Sequence, residues 1–253
     1  MRSRRTLDAN QKDRRAFLQA AGASAAGVLV SNLPFAALAQ TGASAKMKIG
    51  TVGSGRVGSA IGSAWVKAGH EVMFSSLDLE SDKKLAARLG AGARAGTPRE
   101  AAAFGTVLLV TVPYTALPGV GRDLGDLIKG KIIIDTSNPI VARDGEMAVA
   151  AREKGAGIAS MEFLPGARIV RAFNAIGAAR MAEAASNSVR VGMPIAGDDP
   201  DAISVASALI RDVGFEPVLV GTLAAMGKYL IPGSHLAGEH SPEEIRRVAA
   251  TLK

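Results

Sequence analysis

The chain has 253 residues, of which 48% are hydrophobic, 21% charged and 4% aromatic, a balance typical of globular proteins. It contains no cysteine, which excludes disulfides, iron–sulfur clusters, thiolate zinc sites and a cysteine nucleophile, and its three histidines argue against a histidine-rich metal site. The net charge of +7 does not indicate a nucleic-acid partner, because the first 39 residues, with six basic and two acidic side chains, carry +4 of it and no basic cluster follows.

Residues 1–45 predict an export signal. The basic residues up to Arg15 precede the apolar, small-residue run AFLQAAGASAAGVLV and the tripeptide Ala37–Ala39, which is the order of a cleavable secretory signal. The pair Arg14-Arg15 ahead of a Phe-Leu pair resembles the twin-arginine motif of the pathway that exports folded proteins. The run is shorter than the ~20 residues of a membrane span, so no stable span is expected. We expect export to the periplasm or cell exterior by this route, or a cytoplasmic location if the signal is not used; an amphipathic helix or a basic arm is the alternative.

From residue 46 onward, strands and helices alternate. MKIGTV predicts a buried strand, RVGSAIGSAWVKAG a helix and HEVMFS a second strand, followed by the short helices SDKKLAARLG and TPREAAAF. TVLLVTVP and KIIIDTSNP predict strands on either side of a helical stretch that Pro118-Gly119 interrupts, and RIVRAFN, VRVGMPIAG and EPVLVG predict the remaining strands, with helices between them. This alternation predicts an α/β fold with a doubly wound, mostly parallel sheet in a single domain over residues 46–230, followed by a C-terminal tail over residues 231–253.

A glycine-rich turn lies between the first predicted strand and the first predicted helix. Gly53, Gly55 and Gly58 form the pattern G-x-G-x-x-G in that context. The first glycine permits a tight turn, the second lets a pyrophosphate approach the backbone, and the third lets the helix pack closely on the sheet. The helix N-terminus and Arg56 add positive charge for the phosphates. The turn therefore predicts a Rossmann-type NAD(P)-binding fold.

The tip of the second strand bears on the choice of dinucleotide. Asp78 follows the glycine turn by about 20 residues, the spacing of the carboxylate that holds the ribose of NAD. The predicted strand, however, ends before Ser75 and Ser76, whose hydroxyls suit a 2′-phosphate, with Lys83 or Lys84 as counter-charge. We favour NADP, with NAD as the alternative.

Five segments in order resemble the NADPH-dependent deazaflavin (coenzyme F-420) reductase family: MKIGTVGSGRVGSAIGSAWVKAGHEVMFSS, VTVPY, IIDTSNP, IVRAFNAIGA and AGDDPDAISVASALIRDVGFEPVLVG. The resemblance runs from about residue 47 to about residue 230 and extends to the reductase domain of membrane ferric reductases. Leu77 stands where the family often carries arginine. The resemblance implies NADP bound along the carboxyl ends of the strands, with Gly53, Ser54, Gly55, Arg56 and Val57 at the pyrophosphate, Ser75 and Ser76 at the 2′-phosphate, Thr111, Val112 and Pro113 near the adenosine side and the nicotinamide ribose, Asn138 and Pro139 at the next strand exit, and Ala172, Phe173 and Asn174 near the nicotinamide.

The expected function is an NADP-dependent oxidoreductase that transfers hydride between NADPH and a flavin or deazaflavin. Such transfer needs two rings held about 3–3.5 Å apart rather than an acid or base, so no catalytic residue is assigned and no metal site is expected. The alternatives are a non-catalytic NADP-binding protein and an imine or keto reductase of the pyrroline-carboxylate reductase type. The partner is a small-molecule electron acceptor, and because about 210 residues leave little room for a separate substrate domain, we expect a homodimer.

Overall fold

The computed structural model describes residues 46–184 and 190–252, so the predicted export signal lies outside the described residues. Eight strands form one sheet in the order β3-β2-β1-β4-β5-β6-β7-β8. β1 to β6 are parallel, β7 is antiparallel to β6, and β8 is parallel to β7. The predicted doubly wound, mostly parallel sheet is confirmed. The strands are β1 (Lys48–Val52), β2 (Glu71–Phe74), β3 (Ala93–Ala95), β4 (Val107–Val110), β5 (Ile132–Asp135), β6 (Arg168–Arg171), β7 (Gly192–Gly197) and β8 (Glu216–Gly221).

Helices cover both faces of this sheet. They are α1 (Arg56–Lys67), α2 (Leu79–Leu89), α3 (Pro98–Phe104), α4 (Leu117–Ile128), α5 (Val141–Lys154), α6 (Ala156–Phe163), α7 (Ala178–Glu183), α8 (Pro200–Val213), α9 (Leu223–Met226) and α10 (Pro242–Ala249), with 3₁₀ turns at Tyr114–Ala116 and Gly227–Tyr229. Within the described ranges, no helix is long and apolar enough to cross a membrane.

The core has two apolar layers, one on each face of the sheet. Ile134 of β5 joins Trp65 of α1 and Leu209 of α8 in one cluster, while its neighbour Ile133 joins Leu124 of α4 in the other. Adjacent strand residues point to opposite faces, so a strand buried on both faces reads as an unbroken apolar run. The indole of Trp65 also donates a hydrogen bond to the Leu209 carbonyl at 2.8 Å, which fixes α1 against α8.

Several elements differ from the prediction. β3 has only three residues and no apolar run, so its sequence carries no strand signal. α4 is not interrupted at Pro118-Gly119: Pro118 occupies the first turn, where its missing N–H costs no intrahelical hydrogen bond. The helices α5 and α6 were not predicted, because glycines break their pattern, and α5 bends at Gly145 (φ 56°, ψ −140°).

The segment predicted as a C-terminal tail carries α10, which contacts β7 and β8. A capping box formed by Ser241 and Glu244 begins this helix. Ile245 is buried in the core, and a Cβ added to Gly192 of β7 would lie 2.5 Å from its Cδ1. The close approach shows why β7 carries glycine at this position.

Candidate cofactor site

The predicted site residues follow the carboxyl ends of five parallel strands. Residues 53–58 follow β1, 75–76 follow β2, 111–113 follow β4, 138–139 come shortly after β5, and 172–174 follow β6. Since β1 to β6 are parallel, these ends lie along one edge of the sheet, where ligands of open α/β folds bind. We call this the site edge. Lys83 of α2 is the one predicted residue that follows no strand end.

The glycine loop after β1 is shaped by steric limits. Gly53 has φ 98°, and a Cβ there would lie 2.4 Å from the Thr111 carbonyl oxygen. A Cβ on Gly58 would lie 2.1 Å from the Gly53 carbonyl oxygen. Around Gly55, by contrast, the described residues leave open space for 4 Å. The first and third glycines therefore serve the fold, and the second leaves room in front of the loop for a ligand.

The N-terminus of α1 suits an anion. Gly55 is the N-cap, so no side chain of the cap residue occupies the N–H groups of the first turn. That turn also contains no acidic residue. The exposed Arg56 begins the helix, and Val57 packs against the core. Backbone N–H groups at such an end, together with the helix dipole, stabilise a bound phosphate.

At the tip of β2, Ser75 is part of the fold. Its side chain is fully buried, and Oγ donates to the Thr51 carbonyl at 2.5 Å. Its own carbonyl accepts from the Gly53 N–H at 2.9 Å, which joins the β2 tip to the glycine loop. The Ser75 hydroxyl is therefore engaged within the sheet.

Ser76 lies beside a carboxylate that the sequence did not single out. Its Oγ donates to Asp82 Oδ2 at 2.8 Å, and the hydroxyl of Ser54 in the glycine loop donates to Asp82 Oδ1. Asp82 is only 2% exposed, although it lies in the first turn of α2. Lys83, next to it, is exposed and pairs with Glu80 at 2.8 Å. The structure therefore brings Ser54 and Ser76 together around the Asp82 carboxylate, whereas Lys83 pairs with Glu80.

The other end of the site edge contains a buried ion pair. Arg171 of β6 and Asp135 of β5 are both fully buried, with Nη1 and Oδ2 2.6 Å apart. Arg171 also donates to the carbonyls of Ser137 and Leu230, at 3.1 and 3.0 Å. Buried charges cost desolvation free energy unless paired and hydrogen-bonded, so this guanidinium ties the loop after β5 and the segment after α9 to β6. Sequence reasoning missed both residues, which lie inside the segments KIIIDTSNP and RIVRAFN.

Three buried oxygens beside this pair have no hydrogen-bond partner among the described residues: Ser137 Oγ, Asn138 Oδ1 and Asn174 Oδ1, hereafter the acceptor triplet. The amide of Asn138 donates to the Asn174 carbonyl at 2.9 Å, which fixes the two loops against each other. A buried acceptor without a donor costs about 1–3 kcal/mol, so the triplet is suited to a ligand that brings N–H or O–H groups.

Phe173 adds strain to the same loop. Its φ is 63°, a conformation that bulky residues rarely adopt, and its ring packs edge-on against Phe215 with the ring centres 6.1 Å apart. Backbone strain of this kind persists only where packing imposes it, and it concentrates at functional sites. The positive φ of Phe173 turns the chain between Ala172 and Asn174, which are both buried.

The exits of β4 and β5 complete the edge. Thr111 and Val112 are half-buried and Pro113 is exposed, whereas Pro139 is buried and its carbonyl accepts from Arg152 Nε at 2.8 Å. Burial raises the pKa of the adjacent Tyr114 to about 12, so this phenol stays neutral and is a poor proton donor.

The segment after α9 lies against the exit of β6. The N–H of Gly238 donates to the Ala175 carbonyl at 2.9 Å, and the carbonyl of His240 accepts from the N–H of Gly192 at 2.9 Å. His240 is half-buried and His235 is exposed. No group of three or more potential metal-ligating side chains occurs among residues 46–184 and 190–252.

His70 belongs to the fold. It is 2% exposed, Nε2 lies 3.0 Å from an Asp212 carboxylate oxygen, and Nδ1 accepts from the Met47 N–H at 3.1 Å. It immediately precedes β2, at the edge of the sheet opposite the site edge.

The chain is similar in sequence to known reductases and in fold to a solved structure. The model of a family described as "NADP oxidoreductase coenzyme F420-dependent" matches residues 48–139. An F420-dependent NADP reductase of Methanothermobacter thermautotrophicus is 30% identical over 180 residues, covering 66% of this chain and 77% of the relative. The metalloreductase STEAP3 of Rattus norvegicus is 28% identical over 181 residues, 70% of this chain but only 34% of its own length. A solved structure, of a hypothetical protein from Sinorhizobium meliloti, has a TM-score of 0.67 and 26% identity, covering 77% of this chain and 95% of that one.

Proposed function

This chain belongs to the family of coenzyme F420-dependent NADP oxidoreductases, and we propose that it transfers hydride between NADPH and a flavin or deazaflavin acceptor. The observation that carries the proposal is that the two ends of the site edge suit the two ends of a nicotinamide dinucleotide. An open glycine loop at β1 suits a pyrophosphate, and the acceptor triplet at β5 and β6 suits a carboxamide.

The residues of both ends fit a dinucleotide. The free N–H groups at the start of α1, with Arg56, bind phosphate oxygens. Asn138 Oδ1 and Asn174 Oδ1 would suit the carboxamide NH₂ of nicotinamide, which has two N–H donors. The Asn174 amide nitrogen donates to the Ser137 carbonyl at 3.4 Å, which orients its Oδ1. When bound, NADPH would supply the hydride from C4 of its nicotinamide, so the protein's task is to align the two rings.

An imine or keto reductase needs a proton donor, and two acidic side chains at this end, Asp135 and Tyr114, are poorly suited to that role. Asp135 Oδ1 accepts from the Ser137 N–H at 2.8 Å, and Oδ2 accepts from Arg171 and Ser160. Both of its oxygens are engaged, and the high pKa of Tyr114 weakens that phenol as an acid. Transfer to a flavin or deazaflavin ring requires neither group, because a proton from solvent completes the reduction.

We further propose that residues 1–45 direct export by the twin-arginine route and that the enzyme is a homodimer, in which a second subunit or the segment after α9 completes the acceptor pocket. Replacing Arg14 and Arg15 by lysines is expected to retain the protein inside the cell. Unchanged export of this variant would count against the signal, and a monomer in light scattering would count against the dimer.

The test of the activity is NADPH oxidation with a panel of acceptors: FMN, FAD, riboflavin and a 5-deazaflavin. We expect at least one ring acceptor to be reduced in step with NADPH loss. The control is Gly55→Val, which fills the open space before the loop and should abolish NADPH binding while the protein melts as the wild type does. If NADPH binds to the wild type and no acceptor is reduced, the protein is a non-catalytic NADP-binding protein and the proposal is wrong.

A further inference from the structure

Asp82 joins the glycine loop to the tip of β2. Ser54 belongs to the loop and Ser76 to the tip, and the hydroxyls of both donate to opposite oxygens of the one carboxylate. For Ser76, the carboxylate oxygen at 2.8 Å is nearer than the alternative acceptor, the Asp78 carbonyl at 3.3 Å. The carboxylate is 2% exposed, while the serines are half-buried at the site edge.

The place of this cluster matters for the ribose of a dinucleotide. In Rossmann folds the adenosine ribose lies between the glycine loop and the tip of the second strand, where an acidic residue binds a 2′-hydroxyl or an arginine binds a 2′-phosphate. Here the residue after Ser76 is Leu77, whose side chain is fully exposed, and Lys83 pairs with Glu80. Arg56 at the start of α1 and Lys84 and Arg88 on α2 are also exposed.

The direction of the serine hydrogen bonds decides what the cluster can bind. A serine hydroxyl has one proton and two acceptor lone pairs. Because Ser54 and Ser76 both give their protons to Asp82, they offer only lone pairs to a ligand, and one lone pair of Ser76 already accepts from the Asp78 N–H at 3.1 Å. A 2′-hydroxyl can donate to those lone pairs, but a 2′-phosphate needs donors and also meets the negative charge behind them.

We propose that Asp82 sets the selectivity of the cofactor site at the ribose 2′ position, so that this chain binds NAD(H) in addition to NADP(H). The inference rests on the proposed function, since it requires the adenosine ribose to lie between Ser54 and Ser76. Asp82 acts through its charge and through the orientation of the two hydroxyls.

The test is isothermal titration calorimetry of NADP⁺ and NAD⁺ with the full chain and with Asp82→Asn. The asparagine keeps the shape, removes the charge and can itself donate to one serine, which frees a hydroxyl proton for the phosphate. Glu71→Gln is the matched control: it removes an equal charge at the opposite end of β2, where Glu71 pairs with the exposed Arg94 at 3.2 Å. Should Asp82→Asn not melt as a folded protein, Asp82→Ser replaces it.

In the wild type we expect the two dissociation constants to differ by no more than about tenfold, and in Asp82→Asn we expect a gain of about tenfold in the preference for NADP⁺. Glu71→Gln should leave the preference unchanged. Binding of both dinucleotides with an unchanged preference in Asp82→Asn, or an equal change in Glu71→Gln, overturns the inference alone. Binding of neither dinucleotide to the folded wild type overturns the proposed function with it.

Discussion

The two ends of the site edge are built by different means. At β1 and β2 the backbone sets the shape: Gly53 has φ 98°, and Gly58 lies where any Cβ would be 2.1 Å from a carbonyl oxygen. At β5 and β6 side chains set the shape, through a buried ion pair between Arg171 and Asp135, which lie 36 positions apart. A backbone requirement appears in sequence as glycine at fixed spacing, whereas a buried side-chain network is recognisable only once the fold has brought its members together.

The largest effect is expected from Arg171→Ala, which tests whether the ion pair holds the β5–β6 end. The substitution leaves Asp135 charged, buried and without its partner, so the free energy of unfolding should fall by about 3–5 kcal/mol in urea denaturation. The control is Arg99→Ala, which removes an exposed pair with Asp126 and should change stability little or not at all. An Arg171→Ala protein as stable as the wild type would mean that this end is held by packing alone.

The next effect tests the backbone-built end. In Gly58→Ala the added Cβ meets the Gly53 carbonyl oxygen, and the resulting shift should cost about 1–3 kcal/mol of unfolding free energy. Gly125→Ala makes the same change within α4, where the described residues leave space for 4 Å, and should stabilise the protein by about 0.5–1 kcal/mol. If both substitutions raised or both lowered the free energy of unfolding, the steric explanation of the loop would be wrong.

The smallest effect separates binding from folding at the β5–β6 end. Ser137→Ala removes an oxygen that has no partner among the described residues, so NADPH should bind about fivefold more weakly while stability stays unchanged or rises slightly. Ser160→Ala, in contrast, removes a hydroxyl that donates to Asp135 at 2.8 Å and should lower the unfolding free energy by about 1 kcal/mol. Unaltered NADPH affinity in Ser137→Ala would remove Ser137 Oγ from the cofactor site.

The contrast between the two ends also explains what the sequence could reveal. The apolar runs gave seven of the eight strands, and the glycine spacing located the loop, because both depend on near neighbours in the chain. The three-residue β3 and the glycine-broken α5 and α6 carried no such pattern. Asn138 and Asn174 were found by resemblance, but nothing in the sequence indicated that Arg171 would be buried.

The tip of β2 shows a subtler limit. Ser75 and Ser76 were predicted to bind a 2′-phosphate because they are hydroxyls at a strand end. In the structure Ser75 donates within the sheet and Ser76 donates to Asp82, six residues further along. Residue type identified the groups, but hydrogen-bond direction, which depends on the packing of α2, determines what they can bind.

The most direct test of the proposed function is the fate of deuterium from NADPH that is dideuterated at C4 of the nicotinamide. A 5-deazaflavin accepts hydride at a ring carbon, from which the label does not exchange with water. The proposed function predicts one deuterium in each reduced acceptor molecule formed by the enzyme, and loss of this transfer in Gly55→Val. With the 5-deazaflavin as acceptor, enzymatic reduction that leaves no deuterium at the ring carbon would contradict it.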